Sequence, residues 1–209
     1  MSAIKNNDTI LFQGDSITDC GRVSAADNLG GGYVAMIRGY LQVRHADKKL
    51  TILNRGVGGN RTTELLERWD ADCVALKPDV LSISIGVNDV WRLRGMWNNQ
   101  TYVTIDEYKA NYRKLIDRAL AGGVRQLVLM SPTTITEDND TELARLLDER
   151  TESVIAFAKE YKAVYVPARE AQKKAIREAK DVRWTSDGCH PTTAGHALLA
   201  AAWLSALGL

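Results

Sequence analysis

Thr9-Ile10-Leu11-Phe12-Gln13-Gly14-Asp15-Ser16 decides how this chain is read. An apolar run of this length that ends at a glycine is the pattern of a buried strand feeding a loop, and here the loop begins with an aspartate and a serine. The same pattern recurs at Thr51 to Leu53, at Val80 to Ile85 before Gly86, at Gln126 to Met130 and at Ala163 to Val166, which makes five predicted strands. Between them the apolar spacing lengthens to that of helices. Leu65, Trp69, Cys73 and Leu76 form one stripe and Tyr108, Tyr112, Leu115 and Ala119 a second. Leu143, Leu147, Val154, Ala158 and Tyr161 mark a longer helix, and Ala194, Leu198, Ala201 and Leu204 mark the last. Thr104 followed by Glu107 is a capping box for the second of these helices.

Strands that alternate with helices favour a parallel sheet, because parallel neighbours need crossover connections that are helical and right-handed. The predicted fold is therefore α/β: a three-layer α/β/α sandwich around a five-stranded parallel sheet, with residues 1–209 forming one domain. In open sheets of this kind ligands bind outside the carboxyl ends of the strands, where Gly14-Asp15-Ser16, Gly56 to Asn60 and Gly86 to Asp89 all fall. The stretch from Trp91 to Val103 exceeds an ordinary connection and is expected to wall a site or an interface.

Composition removes several function classes. With 209 residues and 45% hydrophobic content the chain can bury a sizeable core. Its 27 Lys and Arg nearly balance 26 Asp and Glu, so no strong field draws it to nucleic acid or to an anionic membrane. The first residues hold no apolar segment, and no later stretch approaches about 18 uninterrupted apolar residues. Cys20, Cys73 and Cys189 are too widely spaced for a disulfide framework or a metal pattern, so reduced thiols in a soluble cytoplasmic protein are expected. Gly30-Gly31-Gly32 reads as a flexible lead-in to a helix and lacks the dinucleotide fingerprint. No metal and no cofactor is expected.

The chemistry lies at the two ends of the chain. A serine hydroxyl is a poor nucleophile at neutral pH and needs an imidazole base, with a carboxylate to fix the tautomer of that base. Ser16 supplies the hydroxyl, and His190, beside Pro191 at the start of the last helix, supplies the imidazole. Asp187, three residues earlier in a turn containing Gly188, can fold back onto Nδ1 of His190. Candidate donors to an oxyanion are the Ser16 N–H, the Gly59 N–H and the Asn88 side-chain amide. Asp15 and Asp89 read as turn or capping residues, His45 and His196 as structural or exposed, and Cys189 as a small filler. Trp91 and Trp184, with Tyr33 and Arg92 behind them, are candidates to contact a substrate.

Four blocks carry a resemblance. Leu11 to Asp19, Gly56-Val57-Gly58-Gly59-Asn60, Gly86-Val87-Asn88-Asp89 and Asp187-Gly188-Cys189-His190-Pro191 resemble, in order, the blocks of the GDSL esterase/lipase family, also called SGNH hydrolases. The resemblance implies a flavodoxin-like fold, Ser16 as nucleophile, His190 as base, Asp187 as its partner, and an oxyanion hole of Ser16, Gly59 and Asn88. Gly14 to Arg22, Asn88 to Arg92 and His190 to His196 look like the intracellular acetylxylan esterases of that family. That likeness implies an acetylated carbohydrate as substrate and assembly as a homo-oligomer. In those esterases the aspartate follows a tryptophan directly, whereas here Asp187 lies three residues beyond Trp184. The alternatives are a lipase, lysophospholipase or thioesterase of the same fold, and a non-catalytic carbohydrate-binding or flavodoxin-like module.

Overall fold

The computed structural model describes residues 4–91, 102–138 and 140–209. Five strands, β1 (Thr9–Gly14), β2 (Thr51–Asn54), β3 (Val80–Ser84), β4 (Gln126–Met130) and β5 (Val164–Val166), form one sheet in the order β2-β1-β3-β4-β5. Every pairing is parallel. Gly14 lies beside Ser84 and Ser84 beside Met130, so the carboxyl ends of the three central strands are level. The order reverses direction between β1 and β3, and a crevice opens at such a switch point. This is the three-layer α/β/α arrangement around a five-stranded parallel sheet expected from the sequence.

Side chains on a strand alternate between the two faces, and each face here has its own apolar core. Ile10, Phe12, Val128, Met130 and Val166 meet α2 (Tyr33–Arg44) and α9 (Thr193–Ala206) on one side. Leu11, Leu81, Ile83, Leu127 and Leu129 meet α3 (Thr62–Glu67), α4 (Trp69–Asp72) and α6 (Ile105–Ala121) on the other. The long helix α7 (Glu142–Glu160) serves both, with Leu143 and Leu147 in the first core and Val154 and Phe157 in the second. Ser82, a hydroxyl inside the sheet, is satisfied by the Trp203 indole N–H at 3.1 Å. The Thr104 capping box forms as its sequence predicts, with both halves present at the start of α6.

Three local readings change. The stripe from Leu65 to Leu76 is not one helix: it breaks at Arg68 and at Cys73 into α3, α4 and a 3₁₀ turn. The first break sets the Arg68 guanidinium against the end of β1 and the chain after β2, donating to Gln13 Oε1 at 3.0 Å, Arg55 O at 2.8 Å, Asn60 Oδ1 at 2.6 Å and Gly14 O at 3.1 Å. Two further segments are helical: α8 (Ala168–Glu178) and the short α5 (Val87–Trp91).

The third change concerns the glycine run, which is tightly packed at Gly32 rather than loose. As the N-cap of α2 it has no side chain to accept an orphan N–H. His196, from α9, does so instead: the Tyr33 N–H donates to its Nδ1 at 3.2 Å. A Cβ on Gly32 would lie 2.9 Å from Cε1 and 3.0 Å from Nδ1 of that ring, closer than packed atoms tolerate. His45 is the C-cap residue of the same helix.

Candidate active site

Ser16 opens a one-turn helix, α1 (Ser16–Asp19), directly off β1. Asp15 is its N-cap, and its Oδ1 accepts the Ile17 N–H at 3.0 Å. The Ser16 N–H is left at the first helical position, without an acceptor inside the helix. Asp15 is nearly inaccessible at 3% exposure, and burial is the main cause that pushes its carboxyl up to about 7. The Ile17 hydrogen bond opposes that rise, Asp89 adds to it, and His190 opposes it.

Asp187 and His190 stand on a tight turn before α9. The turn is closed by the Ser186 N–H on His190 O at 2.8 Å and by an isolated bridge between Thr185 and Pro191. Asp187 Oδ1 accepts the backbone N–H of Cys189 at 3.0 Å and of His190 at 2.8 Å, while Oδ2 lies 2.7 Å from Nδ1 of His190. Partial burial tends to raise the Asp187 pKa, but these hydrogen bonds outweigh it and hold the group below its ordinary value. On the other side of the ring, Nε2 of His190 lies 2.9 Å from Ser16 Oγ. A carboxylate on Nδ1 requires the proton there, which leaves Nε2 as the acceptor for the serine hydroxyl.

The first of the two middle blocks lies near Ser16, where a Cβ on Gly58 would fall 3.9 Å from the serine Cβ. Gly59 has φ +78°, the left-handed region that a side chain disfavours. Asn88 is buried in α5, with one N–H of its amide on Asn60 O at 3.1 Å. Asp89, the next residue, ties α5 to the start of α3: its carboxylate accepts the Thr62 N–H at 3.1 Å and the Thr62 hydroxyl at 2.5 Å. Burial first, only partly offset by those bonds, pushes Asp89 up to about 6. Asp15 is thus the local cap its sequence context predicts, whereas Asp89 caps a distant helix, with its acceptor role directed at Thr62 rather than at a neighbouring N–H.

The remaining candidates separate. Trp91 packs against the His190 imidazole, with ring centroids 5.6 Å apart. The Trp184 indole N–H is on Ala179 O at 3.3 Å, at the end of α8. Tyr33 differs from expectation: it is fully buried, with its hydroxyl 3.0 Å from Thr18 Oγ1, and presents no surface to a ligand. Arg92 lies outside the described residues, as does most of the stretch from Trp91 to Val103. Cys189 is fully buried, and that burial raises its thiol well above the ordinary value, consistent with a filler. Glu137, which no sequence pattern marks, holds the base of the Asp187–His190 turn: its Oε1 accepts the Thr185 N–H at 3.0 Å and the Thr185 hydroxyl at 2.7 Å.

A hydroxyl, an imidazole and a carboxylate in a hydrogen-bonded row can perform acyl transfer. The GDSL-like lipase/acylhydrolase family matches residues 12–198. The chain belongs to that family. As a member it is a carboxylic ester hydrolase of the SGNH type. It is 34% identical to the acetylxylan esterase of Geobacillus stearothermophilus, over 98% of this chain and 96% of that one. The crystal structure of that esterase superposes with a TM-score of 0.90, covering 99% of this chain and 97% of the other. Catalytic variants of the same esterase, with a serine, an aspartate or a histidine replaced by alanine, fit equally well. An α/β hydrolase enzyme from the metagenome of Lake Arreo is 28% identical, with a TM-score of 0.90, covering 100% of this chain and 98% of the other.

Proposed function

We propose that this protein removes acetyl groups from O-acetylated carbohydrates, acetylated xylo-oligosaccharides first among them, with Ser16, His190 and Asp187 as its catalytic triad. The observation that carries the reading is the row Ser16 Oγ, His190, Asp187 at 2.9 and 2.7 Å. The named activity of the 34% identical relative supports the acyl group and the sugar.

In this mechanism Ser16 Oγ attacks the acetyl carbonyl while Nε2 of His190 takes its proton. Asp187 holds the ring in the tautomer this requires and stabilises the imidazolium that forms. The N–H groups of Ser16 and Gly59 and the Asn88 amide receive the oxyanion. Collapse of the tetrahedral intermediate expels the sugar hydroxyl, which recovers the proton from His190. Water, activated by the same imidazole, then releases acetate from Ser16.

Trp91, whose ring centroid lies 5.6 Å from that of His190, is in this reading the aromatic side chain that meets the bound ester. The same reading carries assembly as a homo-oligomer, which light scattering on the purified protein tests.

Acetate release from a panel of acetylated xylo-oligosaccharides, other acetylated sugars and simple esters tests the substrate. Turnover of xylo-oligosaccharide acetates is expected, together with falling activity on p-nitrophenyl esters as the acyl chain lengthens. A preference for octanoate or longer, or turnover of simple esters with none of any acetylated sugar, contradicts the proposal.

A further inference from the structure

Asp19 is the last residue of α1, one helical turn from Ser16, and side chains three apart lie on the same helix face. Its two carboxylate oxygens have different surroundings. Oδ1 accepts the Arg22 N–H at 3.2 Å and lies 3.6 Å from Arg22 Nε, which itself donates to Gly56 O at 2.6 Å. Oδ2 has no hydrogen-bond partner among the described residues, although the side chain is only 26% exposed.

Gly58 shows where Oδ2 lies relative to the serine. A Cβ placed there would have two neighbours within 4 Å, Asp19 Oδ2 and Ser16 Cβ, each at 3.9 Å. The position of a Gly58 Cβ is therefore in van der Waals contact with both the serine Cβ and an unused carboxylate oxygen, and twice that distance is the most that can separate the two. Arg22 fixes the carboxylate in place and offsets its charge while leaving Oδ2 open.

An ester bound at Ser16 brings its neighbouring groups to this position. A carboxylate oxygen can only accept, so the group it recognises is an O–H donor. From this we infer that Asp19 is a specificity-determining residue that accepts a hydrogen bond from a free hydroxyl next to the scissile ester, selecting acetylated polyols over acetyl esters of plain alcohols. The inference rests on the esterase reading with Ser16 as nucleophile but not on the identity of the sugar.

The test is the ratio of kcat/KM for 2-hydroxyethyl acetate to that for ethyl acetate, a pair that differs by one hydroxyl. The wild-type protein is expected to favour the hydroxylated ester, and Asp19→Ala to lower that ratio about tenfold, the scale of one hydrogen bond to a charged group. Asp19→Asn keeps an acceptor for the Arg22 N–H and is expected to lower the ratio less; it carries the test if the alanine variant does not fold. A ratio that neither variant changes, or an equal loss on both esters, overturns the inference. Failure of the sugar panel alone would remove the proposed substrate and leave this ratio readable.

Discussion

His190 and His196 lie six residues apart on the same closing segment, yet the fold uses them in opposite ways. His190 is 39% exposed, carries its proton on Nδ1 against Asp187, and turns an accepting Nε2 to Ser16. His196 is 6% exposed and accepts the Tyr33 N–H at Nδ1, so its proton is on Nε2, directed at Cys20 Sγ 3.5 Å away. One imidazole is open, paired with a carboxylate and suited to moving a proton. The other is a helix cap, and burial pushes its pKa down to about 4, so it stays neutral. Residue type alone does not separate a catalytic base from a structural acceptor; the partner on each ring nitrogen does.

The largest expected effect breaks the comparison on the catalytic side. Ser16→Ala or His190→Ala should lower kcat on p-nitrophenyl acetate between about 10⁴ and 10⁶-fold, as loss of a triad member does elsewhere. Their urea midpoints should stay close to wild type. His196→Ala should reverse the pattern and shift the midpoint, because it orphans the first N–H of α2 and leaves a cavity.

The pH dependence of stability sharpens the contrast, since two buried groups work in opposite directions. Asp15 has a folded pKa of about 7, raised from 3.8, so its contribution is complete below pH 3.8 and is lost as pH rises through about 7. That loss is worth about 4 kcal/mol at alkaline pH. Asp15→Asn, which keeps the cap on Ile17, should flatten this part of the curve in urea unfolding. His196 has a folded pKa of about 4, lowered from 6.5, so its contribution is present above pH 6.5 and is lost as pH falls toward about 4. That change is worth about 3 kcal/mol. The difference between wild type and His196→Asn, which retains an acceptor, isolates it.

The smallest expected effect concerns the support of His190. Glu137→Ala should lower kcat about tenfold with little change in KM, since it loosens the Thr185 anchor and not the substrate. Glu137→Gln, which can still accept from Thr185, should recover most of the loss. A change confined to KM would place Glu137 in contact with substrate instead.

Much of this architecture was legible because it is written locally. β4 has the bounds that its apolar run predicts, and all four blocks of the candidate site lie at strand ends or on the final turn. What escaped reading depends on distant partners. His196 is a cap because Tyr33, 163 positions away, needs an acceptor. Helix α8 carries no strong apolar stripe, since its buried positions are Ala168, Arg169 and Gln172. The break at Arg68 has no turn residue to announce it, because most of the guanidinium's acceptors come from the end of β1 and the chain after β2.

In the proposed mechanism Ser16 forms a covalent acyl intermediate with His190 as its base. Incubation with an organophosphonate ester, followed by mass spectrometry of the digested protein, tests it most directly. One stoichiometric adduct on the peptide bearing Ser16 is expected, with activity lost in step and labelling abolished in Ser16→Ala and strongly slowed in His190→Ala. Full inactivation with the adduct on another residue, or an unlabelled Ser16 in inactive protein, would contradict the account.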